Sequence, residues 1–293
     1  MALPLNDPAW LERMYNNRAL VPEHMDYLQR WAQDSAQVRA RMPCVLDVAY
    51  GAGAGETLDV FPPARASGAL VPVLVFIHGG YWRSLDKSDH SFVAPPFTQA
   101  GFCVVVVNYA LCPGTPEAPV TIPHIVRQME RALAWVARHI TAHGGDARRI
   151  TVAGHSAGGH LAAMLLTSVW PLVGNGLPDG LVRNALSISG LHDLEPLMYT
   201  PLYQPVLRLT EQQVLQFSPA RLPAPEQGVL FCAVGGDENP EFLRQNQLMQ
   251  AAWGSHFVPR SQVLPGLHHF SIVDALAQPG HDLHHMAQNL LRI

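Results

Sequence analysis

The sequence predicts an α/β protein with a doubly wound, mostly parallel β-sheet and helices on both faces. Two observations predict this fold. From residue 71 onward, strand-like and helix-like segments alternate along the chain. The strand-like segments are continuous apolar runs rich in Val, as in strands that are buried on both faces of a parallel sheet. No repeat or low-complexity linker divides the 293 residues, so we expect a single domain over residues 1–293.

The first 43 residues predict a helical arm that precedes the alternating region. Helical patterns cover residues 8–17 and 22–41, and Pro43 ends the second. Two strand-like runs follow, at residues 45–50 and 57–61, with the Gly-rich stretch GAGAGE between them. A dinucleotide-binding loop would lead from a strand into a helix, whereas the next segment, TLDVF, alternates like a strand. We therefore predict a hairpin turn rather than a phosphate-binding loop.

The alternating region predicts six further strands, which are separated by helices. The predicted strands cover residues 71–77, 102–108, 150–153, 185–189, 229–234 and 256–264. The predicted helices cover residues 89–99, 122–143, 160–170 and 240–253, with a last one from about residue 272. Residues 191–227 are rich in Pro and Leu and show no clear strand pattern. We expect this segment to be a lid-like insertion over one end of the sheet.

Composition and charge narrow the class of protein. Hydrophobic residues make up 48% of the chain, which excludes a disordered protein, and the net charge is −4 without a basic run, which argues against nucleic acid as a partner. The apolar stretches are far shorter than the ~20 residues that span a bilayer, and the N-terminus lacks the pattern of a signal peptide. The four cysteines form no CxxC pair, which fits a reducing compartment. We expect a cytoplasmic protein, with a homodimer as one option for its assembly.

The motif that carries chemistry is GHSAG at residues 154–158, a G-x-S-x-G pattern. A β-rich run enters it and a helical pattern leaves it. Such a sharp strand-to-helix turn holds the serine in a strained backbone conformation with its hydroxyl exposed, and glycines on both sides avoid collisions across the turn. An ordinary strand–helix junction is the alternative, but the context favours Ser156 as a nucleophile.

A second motif, HGGYW at residues 78–82, directly follows the strand predicted at residues 71–77. Acyl transfer develops negative charge on a carbonyl oxygen, and backbone N–H groups stabilise that charge. Glycines allow the backbone to approach the substrate closely. We expect these donors to come from Ala157, Gly80 and Tyr81, with Gly79 as a further candidate. A simple β-turn is the alternative for HGG, and the order of the two motifs favours the catalytic interpretation.

A serine nucleophile needs a base and an acid that orients the base. In enzymes with such a turn the chain order is Ser, acid, His. Candidates follow the last two predicted strands, in GGDE at residues 235–238 and in PGLHHF at residues 265–270. We predict Asp237 as the acid, because we expect the longer side chain of Glu238 to point away from the turn. His269 is the candidate base, with His268 as its rival.

Four segments in combination resemble the kynurenine formamidase (arylformamidase) branch of the α/β-hydrolases: HGGYW, GHSAGGHLAAMLL, GGDENPEFLRQ and the HHF end. The resemblance extends from about residue 45 to the end of the chain and implies the α/β-hydrolase fold and hydrolytic activity. That family carries its acid ahead of a P-E-F-x-R-Q run, which implies Asp237 here, and its base precedes a Phe, which favours His269. Bacterial HGG-type esterases share the same motifs.

These features predict a serine hydrolase that acts on a small molecule through an acyl-enzyme, without a cofactor or metal. The expected substrate is a small aromatic amide or formamide of the N-formylkynurenine type. The alternative is a carboxylesterase for short acyl or aryl esters, and a more distant one is a non-catalytic binding protein. We expect Tyr81, Trp82 and His155 to contact the substrate. Three histidines cluster between residues 281 and 285, but no H-E-x-x-H motif indicates a metal site.

Overall fold

An eight-stranded sheet forms the centre of the computed structural model, which describes residues 3–53, 55–65 and 68–293. The strand order is β1-β2-β4-β3-β5-β6-β7-β8. The strands are β1 Val45–Ala49, β2 Thr57–Phe61, β3 Val71–Ile77, β4 Cys103–Val107, β5 Gly145–His155, β6 Val182–Ile188, β7 Val229–Gly235 and β8 Arg260–Leu264. Strand β2 is antiparallel to β1 and β4, and the pairs from β4 to β8 are parallel. The predicted fold class is confirmed.

Helices cover both faces of the sheet. The α-helices are α1 Pro8–Tyr15, α2 Asn17–Leu20, α3 His24–Arg41, α4 Ala94–Gln99, α5 Ile122–His139, α6 Ala157–Leu166, α7 Trp170–Val173, α8 Glu195–Met198, α9 Gln204–Leu207, α10 Glu211–Phe217, α11 Pro240–Phe257, α12 Ser271–Leu276 and α13 Asp282–Arg292. One hydrophobic core holds residues of α5, α6 and α11, and a second core holds residues of α3, α4, α12 and α13. Each described helix is too short or too polar to span a bilayer.

The Val-rich runs belong to strands that are covered on both sides. Alternate residues of a strand point to opposite faces of the sheet. In β3, Val73 and Val75 join one hydrophobic core, whereas Leu74 and Phe76 join the other. All four side chains are fully buried. Continuous apolar sequence, rather than alternation, is therefore what this central position requires.

The N-terminal region and residues 191–227 form these elements. Strands β1 and β2 form the predicted antiparallel hairpin, although Ala54 of its turn lies outside the described residues. Residues 1–43 contribute α1 to α3, and residues 191–227 contribute the short helices α8 to α10. The last strand begins at Arg260 rather than at residue 256, because α11 continues to Phe257.

The turn between β5 and α6 depends on close backbone contacts at two glycines. A Cβ atom on Gly154 would lie 2.1 Å from the carbonyl oxygen of Gly158. A Cβ atom on Gly158 would lie 2.1 Å from the carbonyl oxygen of Ile77, at the end of β3. Because both added Cβ atoms would collide with backbone atoms, no side-chain rotation can relieve these collisions. These glycines therefore bring β5, α6 and β3 into direct contact.

We expect Gly158→Ala to lower the free energy of unfolding by ~3 kcal/mol, because the added methyl group overpacks a backbone contact. The sign of this change in the free energy of unfolding is informative, since Ala ordinarily stabilises a helix by ~1 kcal/mol relative to Gly. Urea denaturation followed by circular dichroism measures the change. Gly176→Ala is the control, because its Cβ atom would meet nothing within 4 Å and only its φ of +81° opposes the substitution. Equal losses in the two variants would contradict this account.

Candidate active site

Ser156 occupies the turn between β5 and α6 with φ 56° and ψ −116°, a conformation that L-residues rarely adopt. Its backbone N–H donates a hydrogen bond to the carbonyl oxygen of Ile188 at 2.8 Å, which fixes the turn against β6. The side chain lines a cavity, and no described residue hydrogen-bonds to its buried Oγ. The hydroxyl is therefore free for chemistry rather than committed to a structural contact, as a nucleophile requires.

His269 lies in the loop after β8 and lines the same cavity as Ser156. Its Nδ1 is 2.7 Å from Oε2 of Glu238, and both side chains are buried. An acceptor at Nδ1 keeps the proton of a neutral imidazole on that nitrogen and leaves Nε2 able to accept one. The ring is held between His155 at 4.6 Å and Phe242 at 4.7 Å, measured between ring centroids. These contacts fix the orientation of the His269 ring beside the cavity.

The prediction that Asp237 orients the imidazole is wrong, because the structure places Glu238 against His269. Asp237 is exposed. The N–H of Glu238 donates to the carbonyl oxygen of Gly235 at 3.2 Å, so the chain turns tightly after β7. Oε1 of Glu238 then folds back to accept hydrogen bonds from the N–H of Gly235 at 2.9 Å and the hydroxyl of Ser189 at 2.5 Å. This turn directs the longer side chain inward, opposite to the expectation.

His268, the rival base, has a different environment. Its Nδ1 accepts hydrogen bonds from the backbone N–H groups of Phe270 and Ser271, both at 3.2 Å. These are contacts at the start of α12, so the ring supports the loop and the first turn of this helix. The side chain of His268 does not line the cavity that holds Ser156.

The loop after β3 folds against the nucleophile. Gly80, Tyr81 and Trp82 have φ of +100°, +52° and +55°, and a Cβ atom on Gly79 would lie 3.1 Å from Cβ of Ser156. Across the described ranges, the backbone N–H groups of Gly79, Gly80 and Tyr81 donate to no acceptor.

Ala157 adds a further donor to this region. It is the first residue of α6, where N–H groups have no partner within the helix. Gly80 and Tyr81 line the same cavity as Ser156, and Ala157 directly follows it, so their role as oxyanion donors stays a prediction.

Three side chains that the sequence analysis missed support this loop. Nδ1 of His78 lies 2.8 Å from the carbonyl oxygen of Gly79, and Nε2 lies 3.1 Å from Oδ1 of Asn108. The His78 ring stacks on Tyr109 at 4.3 Å, and the Tyr109 hydroxyl donates to the carbonyl oxygens of His78 and Gly79, both at 3.0 Å. The signal was present in the Asn-Tyr pair that directly follows β4. These side chains therefore hold the carbonyl groups of His78 and Gly79 by hydrogen bonds.

The cavity has a volume of about 160 Å³, and Tyr81 and His155, the predicted substrate contacts, both line it. Trp82 does not line it, so that prediction is wrong. The left-handed backbone at Tyr81 and Trp82 turns the indole into the core, where it is fully buried against His160 at 5.0 Å. The aromatic partner of Tyr81 is instead Tyr203 of the insertion, stacked at 4.0 Å.

His155 is an uncharged wall of the cavity. Burial, with a further contribution from the adjacent His269, holds the pKa of its imidazole well below the ordinary value. A neutral His155 therefore places no positive charge beside the ring of His269.

The segment that follows Glu238 holds the N-terminal arm in place. Asn239 donates from its amide to the carbonyl oxygen of Met14 at 2.7 Å, and the hydroxyl of Tyr15 donates to Oε1 of Glu241 at 2.6 Å. Arg244 pairs with the buried Glu241 carboxylate at 2.6 Å. The P-E-F-L-R-Q run is therefore an anchor for the arm, and the arm supplies one wall of the cavity.

Comparisons with known proteins identify relatives that are named as hydrolases. A family model described as BD-FAE matches residues 58–170, which include both glycine motifs. The chain is 30% identical to kynurenine formamidase of Salmo salar over an aligned length of 293 residues. The alignment covers 97% of this chain and 92% of that protein. Esterase LipQ of Mycobacterium tuberculosis is 34% identical over 154 residues, which cover 50% of this chain and 35% of that protein.

A solved structure extends the comparison to the fold. A protein of Silicibacter sp. TM1040, provisionally named a thioesterase, superposes with a TM-score of 0.80 at 32% identity. The match covers 93% of this chain and 97% of that chain. The similarity therefore reaches well beyond the residues of the site.

Buried neutral imidazoles should make the stability of the protein fall in mild acid. Burial lowers the pKa to about 4 for His78, His90 and His192, and to about 3 for His160. Their pKa in the unfolded chain is ~6.5, so the unfolded state binds more protons below that pH. The stabilisation is fully present above pH ~6.5 and is lost at up to ~1.4 kcal/mol per pH unit per group as the pH falls towards 4. Urea denaturation at pH 7, 6 and 5 measures this slope, and equal stability at all three would contradict it.

Glu238→Gln should reduce kcat/KM for an activated ester by ~10⁴-fold, because the amide no longer fixes the imidazole tautomer or stabilises its charged form. Asp237→Asn is the matched control and should change kcat/KM by less than about twofold, since that carboxylate is exposed. Steady-state hydrolysis of p-nitrophenyl acetate measures both. The reverse ranking would restore Asp237 as the acid.

Proposed function

The chain belongs to the kynurenine formamidase family of the α/β-hydrolases, and on that premise we propose that it is a serine hydrolase of small aromatic amides, formamides of the N-formylkynurenine type above all. One observation carries the proposal. A strained serine with an uncommitted hydroxyl shares a cavity with an imidazole whose other nitrogen is hydrogen-bonded to a buried carboxylate. This arrangement suits attack on a carbonyl group.

In the first half of the reaction, Oγ of Ser156 attacks the carbonyl carbon and Nε2 of His269 takes the hydroxyl proton. Glu238 keeps Nδ1 protonated and stabilises the imidazolium that forms. Negative charge develops on the carbonyl oxygen, and the N–H groups of Gly80, Tyr81 and Ala157 stabilise it. His269 then donates its proton to the departing amine nitrogen, and the carbon–nitrogen bond breaks.

In the second half, water hydrolyses the acyl-enzyme. Nε2 of His269 removes a proton from the water, the hydroxide adds to the acyl carbon, and the bond to Oγ of Ser156 breaks as His269 returns the proton to it. For a formyl group the released acid is formic acid. Each bond change in this sequence uses groups of the protein, the substrate and water alone.

The size and walls of the cavity support a small acyl group and a flat leaving group. A volume of about 160 Å³ lies below the ~300–1,000 Å³ of pockets for drug-sized ligands. The stacked rings of Tyr81 and Tyr203 form one wall, and residues of the arm form another. We therefore propose that the arm and the insertion shape the leaving-group site, and that formyl, the smallest acyl group, fits the acyl side.

The second candidate is a carboxylesterase for short acyl or aryl esters. The sequence similarity to an esterase over half of the chain favours it. The two activities share every step except the identity of the leaving atom, which is nitrogen in an amide and oxygen in an ester. A comparison of kcat/KM between a matched amide and ester therefore distinguishes the two activities.

We expect kcat/KM to fall steadily as the acyl group of an anilide or p-nitrophenyl ester grows from formyl or acetyl to butyryl and hexanoyl, with ~1–3 kcal/mol of discrimination per methylene at the point where the pocket is filled. N-formylkynurenine should be hydrolysed at least as efficiently as the best ester. Ser156→Ala should lower every rate by ~10³-fold or more, which assigns the activity to this site. Activity that rises with acyl length would replace the formamidase proposal by the esterase one.

A further inference from the structure

The imidazole of His155 lines the cavity beside Ser156, and neither of its ring nitrogens forms a hydrogen bond with any described residue. Only 4% of the surface of His155 is exposed, so the two nitrogens are buried as well as unpaired. Buried polar atoms in folded proteins nearly always have a partner, because an unpaired one loses its hydration without compensation. An imidazole without a partner at either nitrogen is therefore a candidate for a contact with the substrate.

The other buried histidines in residues 3–53, 55–65 and 68–293 differ from His155. Each has at least one ring nitrogen within hydrogen-bonding distance of a carboxylate or a carbonyl oxygen. They are His78, His90, His160, His192, His269 and His284. Among these rings, the fully unpaired imidazole thus belongs to the position that directly precedes the nucleophile.

His155 lies beside both groups that act on the scissile bond in the proposed reaction. Its ring centroid is 4.6 Å from that of His269. A Cβ atom on Gly79 would lie 3.0 Å from Nδ1 of His155 and 3.1 Å from Cβ of Ser156, so both side chains approach the same face of Gly79. The leaving nitrogen of an amide must lie between Ser156 and His269, because Ser156 bonds to the acyl carbon and His269 protonates the nitrogen. The imidazole of His155 borders this position.

A neutral imidazole has one N–H donor and one acceptor nitrogen. Burial holds the pKa of His155 well below its ordinary value, and the carbonyl oxygen of His269 acts on that pKa in the opposite direction. This carbonyl group favours a proton on the ring nitrogen that faces it. The other ring nitrogen then carries a lone pair that no described residue uses.

Amides and esters differ in their need for such an acceptor. When Ser156 attacks an amide, the leaving nitrogen becomes tetrahedral and directs its lone pair towards the N–H of the His269 imidazolium. The N–H of the leaving nitrogen then points to another side, where an unpaired donor in a closed cavity costs free energy. The leaving oxygen of an ester carries no hydrogen, so it has nothing to donate.

We propose that His155 accepts a hydrogen bond from the N–H of the leaving group and thereby makes the site selective for amides over esters. This deepens the proposed function and rests on it, because that function requires an amide. His155 takes no proton in this step. The hydroxyl proton of Ser156 passes through His269 to the leaving nitrogen, the carbon–nitrogen bond breaks, and the amine departs uncharged.

The test compares formanilide, N-methylformanilide and phenyl formate as substrates of the full chain. In His155→Phe and His155→Leu, which lack ring nitrogens, kcat/KM for formanilide relative to each of the other two should fall by ~10-fold, since one buried hydrogen bond is lost. Two variants of different shape guard against a misfolded one. His155→Gln keeps an acceptor, so it should retain part of both ratios.

His160→Phe is the matched control. It removes another buried imidazole with an unpaired nitrogen, Nδ1, but this ring does not line the cavity. Both ratios should stay within about twofold of wild type, because the contact with the leaving group is unchanged. An equal fall in His160→Phe, or ratios near wild type in both His155→Phe and His155→Leu, would overturn the proposal.

Inhibition of p-nitrophenyl acetate hydrolysis tests the same contact without amide turnover. N-phenyl methylphosphonamidate and its N-methyl derivative resemble the tetrahedral intermediate and differ in the N–H group. The first should bind wild type ~10-fold more tightly and lose this advantage in His155→Phe. Wild type that cleaves phenyl formate but not formanilide, yet keeps this order of binding, would contradict the proposed function alone. Equal binding of the two inhibitors to wild type would overturn the role of His155.

Discussion

At the end of β3 the carbonyl oxygen of Ile77 packs against Gly158 so closely that a side chain there would collide with it. Gly154 packs against Gly158 in the same way. These two contacts force Ser156 into its strained conformation, and they also place the end of β3 beside it. The loop after β3 therefore lies beside Ser156, where the proposed mechanism needs its N–H groups. In that mechanism, one backbone contact couples the nucleophile to the oxyanion donors.

Near this contact, the buried carboxylates of Glu238 and Glu241 both have defined partners. The chain has only 14% charged residues. The Glu238 carboxylate is buried but accepts three hydrogen bonds, from His269, Ser189 and Gly235, which offset the cost of its desolvation. Glu241 is neutralised by Arg244 and ties the arm to α11.

The sequence predicted the fold and the position of Ser156 because hydrophobic patterns and glycine spacing are local properties. It selected Asp237 over Glu238 wrongly, since the tight turn closed by the hydrogen bond between the N–H of Glu238 and Gly235 directs Glu238 inward. The prediction that Trp82 contacts the substrate was wrong for a similar reason. The left-handed backbone that directs its side chain into the core cannot be inferred from two adjacent aromatic residues. Arg18 lines the cavity but is distant from Ser156 in sequence. Its position depends on the tertiary contacts of the arm, which no local sequence pattern predicts.

The central claim is that Ser156, His269 and Glu238 act as one nucleophilic unit at the described cavity. Reaction with a small fluorophosphonate, followed by peptide mass spectrometry, tests this most directly, because the reagent labels a serine only when a neighbouring base activates it. The account predicts one adduct per chain, located on Ser156, and no adduct on the same timescale in His269→Ala. Labelling of a different serine, or equally fast labelling of Ser156 in His269→Ala, would contradict it.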